Sequence, residues 1–324
     1  MMNFCTLFDS FYLARGLALY ESLRNTGDNF HLYILAFDEE CYQTLNRFDL
    51  ESVTVISLEE FEDDRLREVK PTRSRVEYLW TCTPSVIRYV LTRFGLNECT
   101  YLDADLFFYR SPRILLDEIG SDSVIITEHR YTRKYDQTAE SGRFCVQFVS
   151  FRNTPDGIGI LTWWRNACLD WCYARFEDGK FGDQKYLDQW PGRFPGVHVL
   201  EHLGGGVAPW NVQQYELSLE NGNPVGKEKS TGSVFDLIFF HFHDVKFYSG
   251  DRIDLGAYPL SHDVKDLLYR PYLRTVDNMK SRVGNIVRID DTRKVEMSGW
   301  FSIYQHFRKR IMNNIVSRSG FLKD

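Results

Sequence analysis

The first sixty residues alternate short apolar runs with stretches of helical periodicity, and this alternation constrains the fold more than any other feature of the chain. Residues 3–8, 31–37 and 53–57 are apolar runs of strand length, whereas residues 12–24 and 39–48 carry apolar side chains at helical spacing. A helix between two strands returns the chain to the same end of the sheet, so consecutive strands pair in parallel. The sequence therefore predicts an α/β protein with a Rossmann-like, mostly parallel sheet flanked by helices.

The same alternation continues beyond residue 80 and indicates one large domain. Pro84 predicts the start of a helix that runs to about residue 94, because proline is tolerated in the first turn. A further helix is predicted at 159–175, and further strands at 100–103, 123–127, 144–151 and 234–240. We assign residues 1–275 to one α/β domain and residues 276–324 to a basic amphipathic C-terminal helical extension.

Apolar side chains recur at helical spacing in the extension, beside a group of basic ones. The apolar set is Trp300, Ile303, Phe307, Ile311 and Ile315, and the basic set is Arg308, Lys309, Arg310 and Arg318. A basic amphipathic helix can lie on an anionic membrane surface. It can equally pack its apolar face on the domain and leave its charges in solvent. The sequence leaves both interpretations open.

Composition excludes several classes of protein. The 324 residues carry a net charge of -6, with 43% hydrophobic and 26% charged side chains, which is the balance of a globular protein without a general affinity for nucleic acid. Seven scattered cysteines without a Cys-x-x-Cys pair favour neither a disulfide framework nor structural zinc. Neither a membrane-spanning run of about 18 apolar residues nor an apolar signal region is evident. We expect a cytoplasmic protein, with peripheral contact at the inner face of the membrane as an option for the extension.

Asp103 and Asp105 stand among apolar residues, where charged side chains need a structural or functional reason. They follow a predicted strand, and ligands of parallel sheets bind at the carboxyl ends of strands. Side chains two positions apart on an extended segment face the same way, so both carboxylates could hold one divalent cation. His241 or His243, after a later predicted strand, could add an imidazole. Oxygen ligands suit Mn²⁺ and Mg²⁺, and Mn²⁺ also accepts imidazole.

These motifs resemble those of metal-dependent glycosyltransferases of the GT-A fold, most nearly the family 8 retaining galactosyl- and glucosyltransferases and related bacterial enzymes. The resemblance covers most of the first 250 residues. Its matching pieces are Thr6-Leu7-Phe8-Asp9 with Tyr12, Arg88, Tyr101-Leu102-Asp103-Ala104-Asp105, Gly182-Asp183-Gln184 with Leu187, and the run from His241 to Lys246.

The resemblance implies that five of these residues, together with Asp103, bind the nucleotide-sugar. Thr6, Asp9 and Tyr12 would lie at the nucleotide, with Asp9 and Tyr12 on the base, which Asp9 suggests is uracil. Lys246 would contact the phosphates. Arg88 would pair with the nucleotide-sugar or brace an aspartate.

The resemblance also implies a metal site and a catalytic pair. Asp103, Asp105 and His241 would bind Mn²⁺ or Mg²⁺, with Asp103 also at the nucleotide-sugar. Asp183 and Gln184 would approach the transferred sugar and form the catalytic pair.

This chain departs from the family pattern at two motifs of the predicted nucleotide-sugar site. The family commonly has Asn-Ala-Gly in the strand after the metal motif, where this chain has Cys145-Val146-Gln147. Gln147 is therefore predicted to replace the missing amide in binding the nucleotide-sugar. The late family motif ends in Gly and Lys-Pro-Trp, where this chain has Asp244 and Lys246-Phe247.

The predicted function is metal-dependent transfer of a hexose from a nucleoside diphosphate sugar, with a UDP-sugar favoured, to a glycan, lipid or protein, with retention. Cell-surface polysaccharide biosynthesis is one setting for such a reaction. A sugar-phosphate nucleotidyltransferase is the first alternative, but residues 3–16 lack its Gly-rich basic phosphate loop. A non-catalytic carbohydrate- or nucleotide-sugar-binding protein is the second, and an inactive relative would be expected to lose the metal carboxylates that this chain keeps.

Overall fold

The computed structural model describes residues 1–287, 292 and 314–323. Its strands are β1 (Met2–Phe8), β2 (Phe30–Ala36), β3 (Val53–Ser57), β4 (Glu98–Leu102), β5 (Leu106–Phe108), β6 (Val124–Glu128), β7 (Phe144–Arg152), β8 (Val197–Val199), β9 (Tyr215–Glu220), β10 (Asn223–Glu228), β11 (Val234–Asp236), β12 (Phe239–His241), β13 (Lys246–Tyr248), β14 (Arg252–Asp254) and β15 (Ile315–Ser317). The strand predicted at 234–240 is thus two short strands, β11 and β12.

The helices separate the strands of the first half of the chain, as the sequence predicts. They are α1 (Leu13–Asn25), α2 (Glu39–Phe48), α3 (Leu58–Phe61), α4 (Asp64–Val69), α5 (Arg75–Arg93), α6 (Arg113–Leu116), α7 (Thr138–Ser141), α8 (Pro155–Asp170), α9 (Trp190–Arg193), α10 (His262–Val264), α11 (Arg270–Gly284) and α12 (Arg318–Phe321). A π-helical segment, Lys265–Tyr269, joins α10 to α11.

A seven-stranded sheet with the order β3-β2-β1-β4-β7-β6-β8 forms the centre of the molecule. Strand β7 runs antiparallel to both of its neighbours, and the other neighbouring pairs in this sheet are parallel. Smaller antiparallel sheets are formed by β9 to β11, by β5 with β12, and by β13 to β15. The predicted α/β class with a mostly parallel sheet is confirmed.

Helices cover both faces of the central sheet. In β1, Phe4 and Phe8 pack on the side of α1 and α11, whereas Cys5 and Leu7 pack on the side of α5 and α8. Alternate side chains of a strand point to opposite faces, so a strand buried on both faces must be apolar throughout. This explains why the first strands are continuous apolar runs in the sequence.

Helix α5 begins at Arg75, so the predicted start at Pro84 is wrong. Ser74 and Glu77 form a capping box in which the Ser74 amide donates to the Glu77 carboxylate at 2.7 Å and the Glu77 amide donates to Ser74 Oγ at 3.4 Å. A capping box satisfies backbone donors at the helix start, and this is a stronger start signal than proline alone. Pro84 lies inside the helix, near the middle of its length.

The described parts of the C-terminal extension pack on the domain. Helix α11 contacts α1 and runs continuously through the predicted boundary between residues 275 and 276, and β15 pairs with β14. Ile315, the last member of the predicted apolar face, lies in β15, and Arg318 begins α12. The rest of that amphipathic pattern, including Trp300, Ile303, Phe307, Ile311 and residues 308–310, lies outside the described residues. Within the described ranges, no helix has the length and apolar character needed to cross a bilayer.

Candidate active site

The two aspartates lie in a turn between β4 and β5. The Leu106 amide donates to the Asp103 carbonyl at 3.2 Å, which closes the turn. The Asp103 amide donates to the Gln147 carbonyl in β7 at 3.0 Å, and Asp105 accepts from the Phe242 amide at 3.0 Å through its carbonyl. The expectation that the pair shares one face of an extended strand is therefore wrong. A turn held from both sides brings the carboxylates together instead.

Strand β12 places a histidine beside this turn. His241 Nε2 lies 3.0 Å from Asp105 Oδ1 and 3.7 Å from Asp103 Oδ2. One ligand atom from each of these three residues lies within 4.8 Å of the others, and the group is largely shielded from solvent. Within the described residues this grouping includes His241 and not His243, whose ring centre is 5.6 Å from that of His241.

The electrostatics of these three residues suit a divalent cation. Burial alone would lower the pKa of His241, yet the Asp105 carboxylate raises it well above its ordinary range. Burial raises the pKa of Asp103 to about 6, although His241 opposes this. Burial would also raise the pKa of Asp105, but His241 holds it below its ordinary value. The imidazolium thus balances carboxylate charge that a metal ion would balance, and two carboxylates with one imidazole form a ligand set that could hold a divalent cation.

Gln147 lies behind His241 rather than at the cavity. Its side-chain oxygen, Oε1, is 2.7 Å from His241 Nδ1, and the residue is fully buried. With Nδ1 donating to Oε1, Nε2 faces the aspartates, and a metal ion would bind there by displacing the Nε2 proton of the imidazolium. The structure does not bring Gln147 to the sugar pocket, because the side chains of Cys145 and Val146 line the cavity there.

Replacing Gln147 by leucine is expected to weaken Mn²⁺ binding about 10- to 100-fold, because the imidazole loses the partner that fixes its tautomer and orientation. Gln147→Glu, which keeps an acceptor at the same place, is expected to retain most of the affinity. Calorimetric titration of Mn²⁺ measures both values. Equal affinity in the leucine variant and the wild type would show that Gln147 does not position His241.

Asp183 and Gln184 reach the same cavity as Asp103. Asp183 precedes a short 3-10 helix, Gln184–Gln189, and its carbonyl accepts from the Trp164 indole at 2.9 Å. Burial and the charge of Asp103 raise the pKa of Asp183 to about 7. Gln184 donates through Nε2 to the Ser141 carbonyl at 2.7 Å. A carboxyl group with such a pKa beside a metal-type triad is typical of a functional site.

The cavity has a volume of about 1040 Å³ and contains Asp9 and Tyr12 in its wall. Asp9 accepts from the Tyr12 amide at 3.1 Å and from Arg75 Nε at 2.7 Å. Arg75 also donates through Nη2 to Asp38 at 2.7 Å, so one guanidinium joins both carboxylates. The sequence analysis missed Arg75 and Asp38. The Ser74-x-x-Glu77 capping box would have placed Arg75 at the start of a helix, but not beside Asp9.

Besides Gln147, three predicted nucleotide-sugar residues are not among those that line the cavity. Thr6 is completely buried in β1, Arg88 is exposed on α5, and Lys246 pairs with the carboxylate of Asp244. The structure therefore gathers Asp9, Tyr12, Asp103, Asp105, His241, Asp183 and Gln184 around one cavity, and leaves these three outside its lining.

Comparison with known sequences finds relatives but no matching family model. The chain is 30% identical over 292 residues to the uncharacterized protein YfnD of Bacillus subtilis (strain 168), an alignment that covers 86% of this chain and 91% of YfnD. It is also 30% identical over 258 residues to the uncharacterized protein YfnF of the same organism, which covers 77% of this chain and 84% of YfnF.

Comparison with solved structures finds glycosyltransferases. The galactosyltransferase LgtC, a family 8 enzyme solved with donor and acceptor sugar analogs, superposes with a TM-score of 0.50 and 14% identity, covering 86% of this chain and 96% of LgtC. An LgtC structure with an active-site glutamine changed to glutamate gives a TM-score of 0.50 at 11% identity with the same coverage. The GT-A fold, resembling that of family 8, is confirmed.

Proposed function

Because the chain belongs to the same family as YfnD and YfnF of Bacillus subtilis and has the GT-A fold, we propose that it is a metal-dependent glycosyltransferase. It transfers a hexose from a nucleoside diphosphate sugar, with a UDP-sugar as the favoured donor, to a glycan, lipid or protein hydroxyl. The observation that carries this proposal is the group of Asp103, Asp105 and His241, which lines the same cavity as Asp183. A hydrolytic or nucleotidyl-transferring function has no comparable support.

In the proposed reaction, the bond between the anomeric carbon and a diphosphate oxygen breaks while the acceptor oxygen bonds to that carbon. The acceptor proton passes to the departing diphosphate. Asp103, Asp105 and His241 would hold a divalent cation, which would neutralise the charge that develops on this leaving group. The resemblance to the retaining family 8 enzymes supports retention, in which the acceptor would attack from the same side of the sugar as the departing diphosphate.

Asp183 is the residue that we assign to orienting the transferred sugar. Its buried carboxyl group lies near Asp103 and can accept hydrogen bonds from sugar hydroxyls or donate one when protonated. Gln184, fixed by its bond to the Ser141 carbonyl, would bind beside it. The printed description of the LgtC variant, which identifies a glutamine in that enzyme's active site, supports including a glutamine in this pair.

Arg15 adds positive charge near Asp105 and helps to lower the pKa of that carboxyl group. Its side chain is buried, donates through Nη2 to the Val245 carbonyl at 3.2 Å, and lies 4.4 Å from the centre of the Tyr12 ring. Arg15 thereby connects Tyr12, which is proposed to contact the base, with Val245, which follows His241 in the chain. Lys246 is paired with Asp244, so its assignment to the phosphates requires that this contact be exchanged for the diphosphate.

Arg75→Ala is expected to raise the donor KM about tenfold, because Asp9 and Asp38 lose the cation that holds them at the nucleotide end of the cavity. The turnover number should change much less, since Arg75 is not assigned to the reacting groups. Arg93→Ala, at the exposed end of the same helix, is the matched control. A fall in kcat with an unchanged KM would contradict this assignment.

Cellular location remains part of the proposal. All seven cysteines are free buried thiols, which supports a reducing compartment such as the cytoplasm.

We propose that residues 308–310 give peripheral contact with anionic membrane. Changing Arg308, Lys309 and Arg310 to glutamate should abolish flotation with phosphatidylglycerol vesicles, and unchanged flotation would reject the membrane contact.

The direct test of the proposed function is a screen for nucleotide-sugar hydrolysis with Mn²⁺ and with a chelator. UDP-glucose and UDP-galactose are compared with sugars carried on other nucleoside diphosphates. Turnover of at least one donor is expected with Mn²⁺ and should disappear on chelation. If no donor binds or turns over with metal present, the proposal fails.

A further inference from the structure

One part of the cavity wall is aromatic and adjoins the metal triad. It consists of Tyr131, Trp210 and Tyr258, which we call the aromatic wall. The Trp210 ring centre lies 5.3 Å from that of His241, and Tyr131 is 6.3 Å from Trp210. Tyr131 and Tyr258 are half-buried and both pack against Trp210 and its neighbours. An acceptor bound here would therefore lie next to the site proposed for the leaving group.

Hydrogen bonds hold the aromatic wall in place. The Trp210 indole donates to the His129 carbonyl at 2.9 Å, and the Tyr258 hydroxyl accepts from Gln137 Nε2 at 2.9 Å. The fully buried Asn314 donates to the Tyr258 carbonyl at 2.6 Å, so the returning C-terminal segment fixes this tyrosine. Rings that are fixed before binding lose little entropy when a ligand arrives.

The charges in the cavity lining indicate which acceptors suit the aromatic wall. Among the described residues that line the cavity, Arg75 is the one lysine or arginine, and its partners are Asp9 and Asp38. Next to the aromatic wall the lining offers the neutral side chains of Gln137, Ser141 and Gln184 instead. A phosphate-bearing acceptor would need a cation there.

We propose that the aromatic wall binds a neutral saccharide as the acceptor, so that the protein extends an uncharged glycan. The inference rests on the proposed function and selects one acceptor class from the three that it leaves open. The apolar C–H faces of a pyranose pack on aromatic rings, while its hydroxyls match neutral amide and hydroxyl groups. In the reaction proposed above, a negatively charged acceptor would meet the donor diphosphate and Asp183 in the same cavity, and the aromatic wall offers no compensating cation.

The test compares acceptors with the donor that the hydrolysis screen selects, in the presence of Mn²⁺. The probes are neutral methyl pyranosides and disaccharides, the corresponding sugar phosphates, and a serine- and tyrosine-containing peptide, with products identified by mass spectrometry. A neutral saccharide should be glycosylated with a kcat/KM at least about tenfold above its phosphate and above the peptide. Preference for a sugar phosphate or the peptide would overturn the inference.

Variants of the aromatic wall separate this inference from the proposed function. Tyr131→Ala and Tyr258→Ala should each raise the saccharide KM about tenfold, and Tyr131→Leu and Tyr258→Leu, which keep apolar volume without the ring, should do the same. Tyr89→Ala, on the side of α5 where Tyr89 bonds to Glu60, is the control expected to match the wild type. Unchanged KM values in the folded wall variants would overturn the inference while donor hydrolysis persists. Absence of donor hydrolysis in the wild type would instead reject the proposed function.

Discussion

Changing both Asp103 and Asp105 to alanine is expected to lower kcat/KM for sugar transfer at least about 10³-fold, equivalent to roughly 4 kcal/mol of lost transition-state stabilisation. Both carboxylates lie with His241 in one group, so their loss removes two of the three protein ligands of the proposed metal. Initial rates with saturating Mn²⁺ measure the effect.

Asp64→Ala is the matched control for this loss. Asp64 is an exposed aspartate in the first turn of α4 that pairs with Arg67, and it lies outside the cavity lining. Its removal should leave transfer unchanged. A double variant that keeps more than about a tenth of wild-type activity would show that the aspartates do not serve the reaction, because loss of a Lewis acid costs several kcal/mol.

Asp183→Asn is expected to lower kcat about 10²-fold or more and, at the same time, to stabilise the metal-free protein at alkaline pH. Burial and Asp103 raise the pKa of Asp183 from 3.8 to about 7. Between these values the folded state holds a proton that the unfolded state has released. The stability contribution of Asp183 is thus fully present below about pH 4 and is lost as the pH rises through about 7.

Thermal unfolding in chelator at pH 5 and pH 8 tests the stability part of this prediction. The Tm of the asparagine variant should exceed that of the wild type by about 2–5 °C at pH 8, and by less at pH 5, because asparagine carries no buried charge. Glu140→Gln, at an exposed position on α7, is the control. If the difference in Tm between the asparagine variant and the wild type were the same at pH 5 and pH 8, the raised pKa assigned to Asp183 would be contradicted.

The sequence was sufficient to predict the class of fold because the first strands are buried on both faces. Such strands are apolar throughout, and the helices between them carry apolar side chains at helical spacing, so both patterns are visible locally. The start of α5 was predicted wrongly because Pro84 is tolerated inside this helix. The capping box of Ser74 and Glu77, within a charged stretch of the sequence, marks the start of this helix.

The site was predictable where one short motif carries it, as with Asp103 and Asp105. It was not predictable where distant segments meet. Gln147 contacts His241 across 94 positions, and Arg75 reaches Asp9 across 66, so neither contact leaves a pattern in the local sequence. Because side chains alternate along β7, Gln147 contacts His241 and is not among the residues that line the cavity. Its position in the family motif had instead suggested contact with the nucleotide-sugar.

Mn²⁺ titration followed by electron paramagnetic resonance tests the central claim most directly, because it observes the metal rather than the reaction. Wild-type protein and the Asp103→Ala/Asp105→Ala variant are titrated with and without the nucleoside diphosphate of the preferred donor. We expect one tightly bound Mn²⁺ per wild-type chain, an affinity increased about tenfold or more by the nucleotide, and neither in the variant. Equal Mn²⁺ binding by the two proteins, or nucleotide binding that is indifferent to Mn²⁺, would contradict the account.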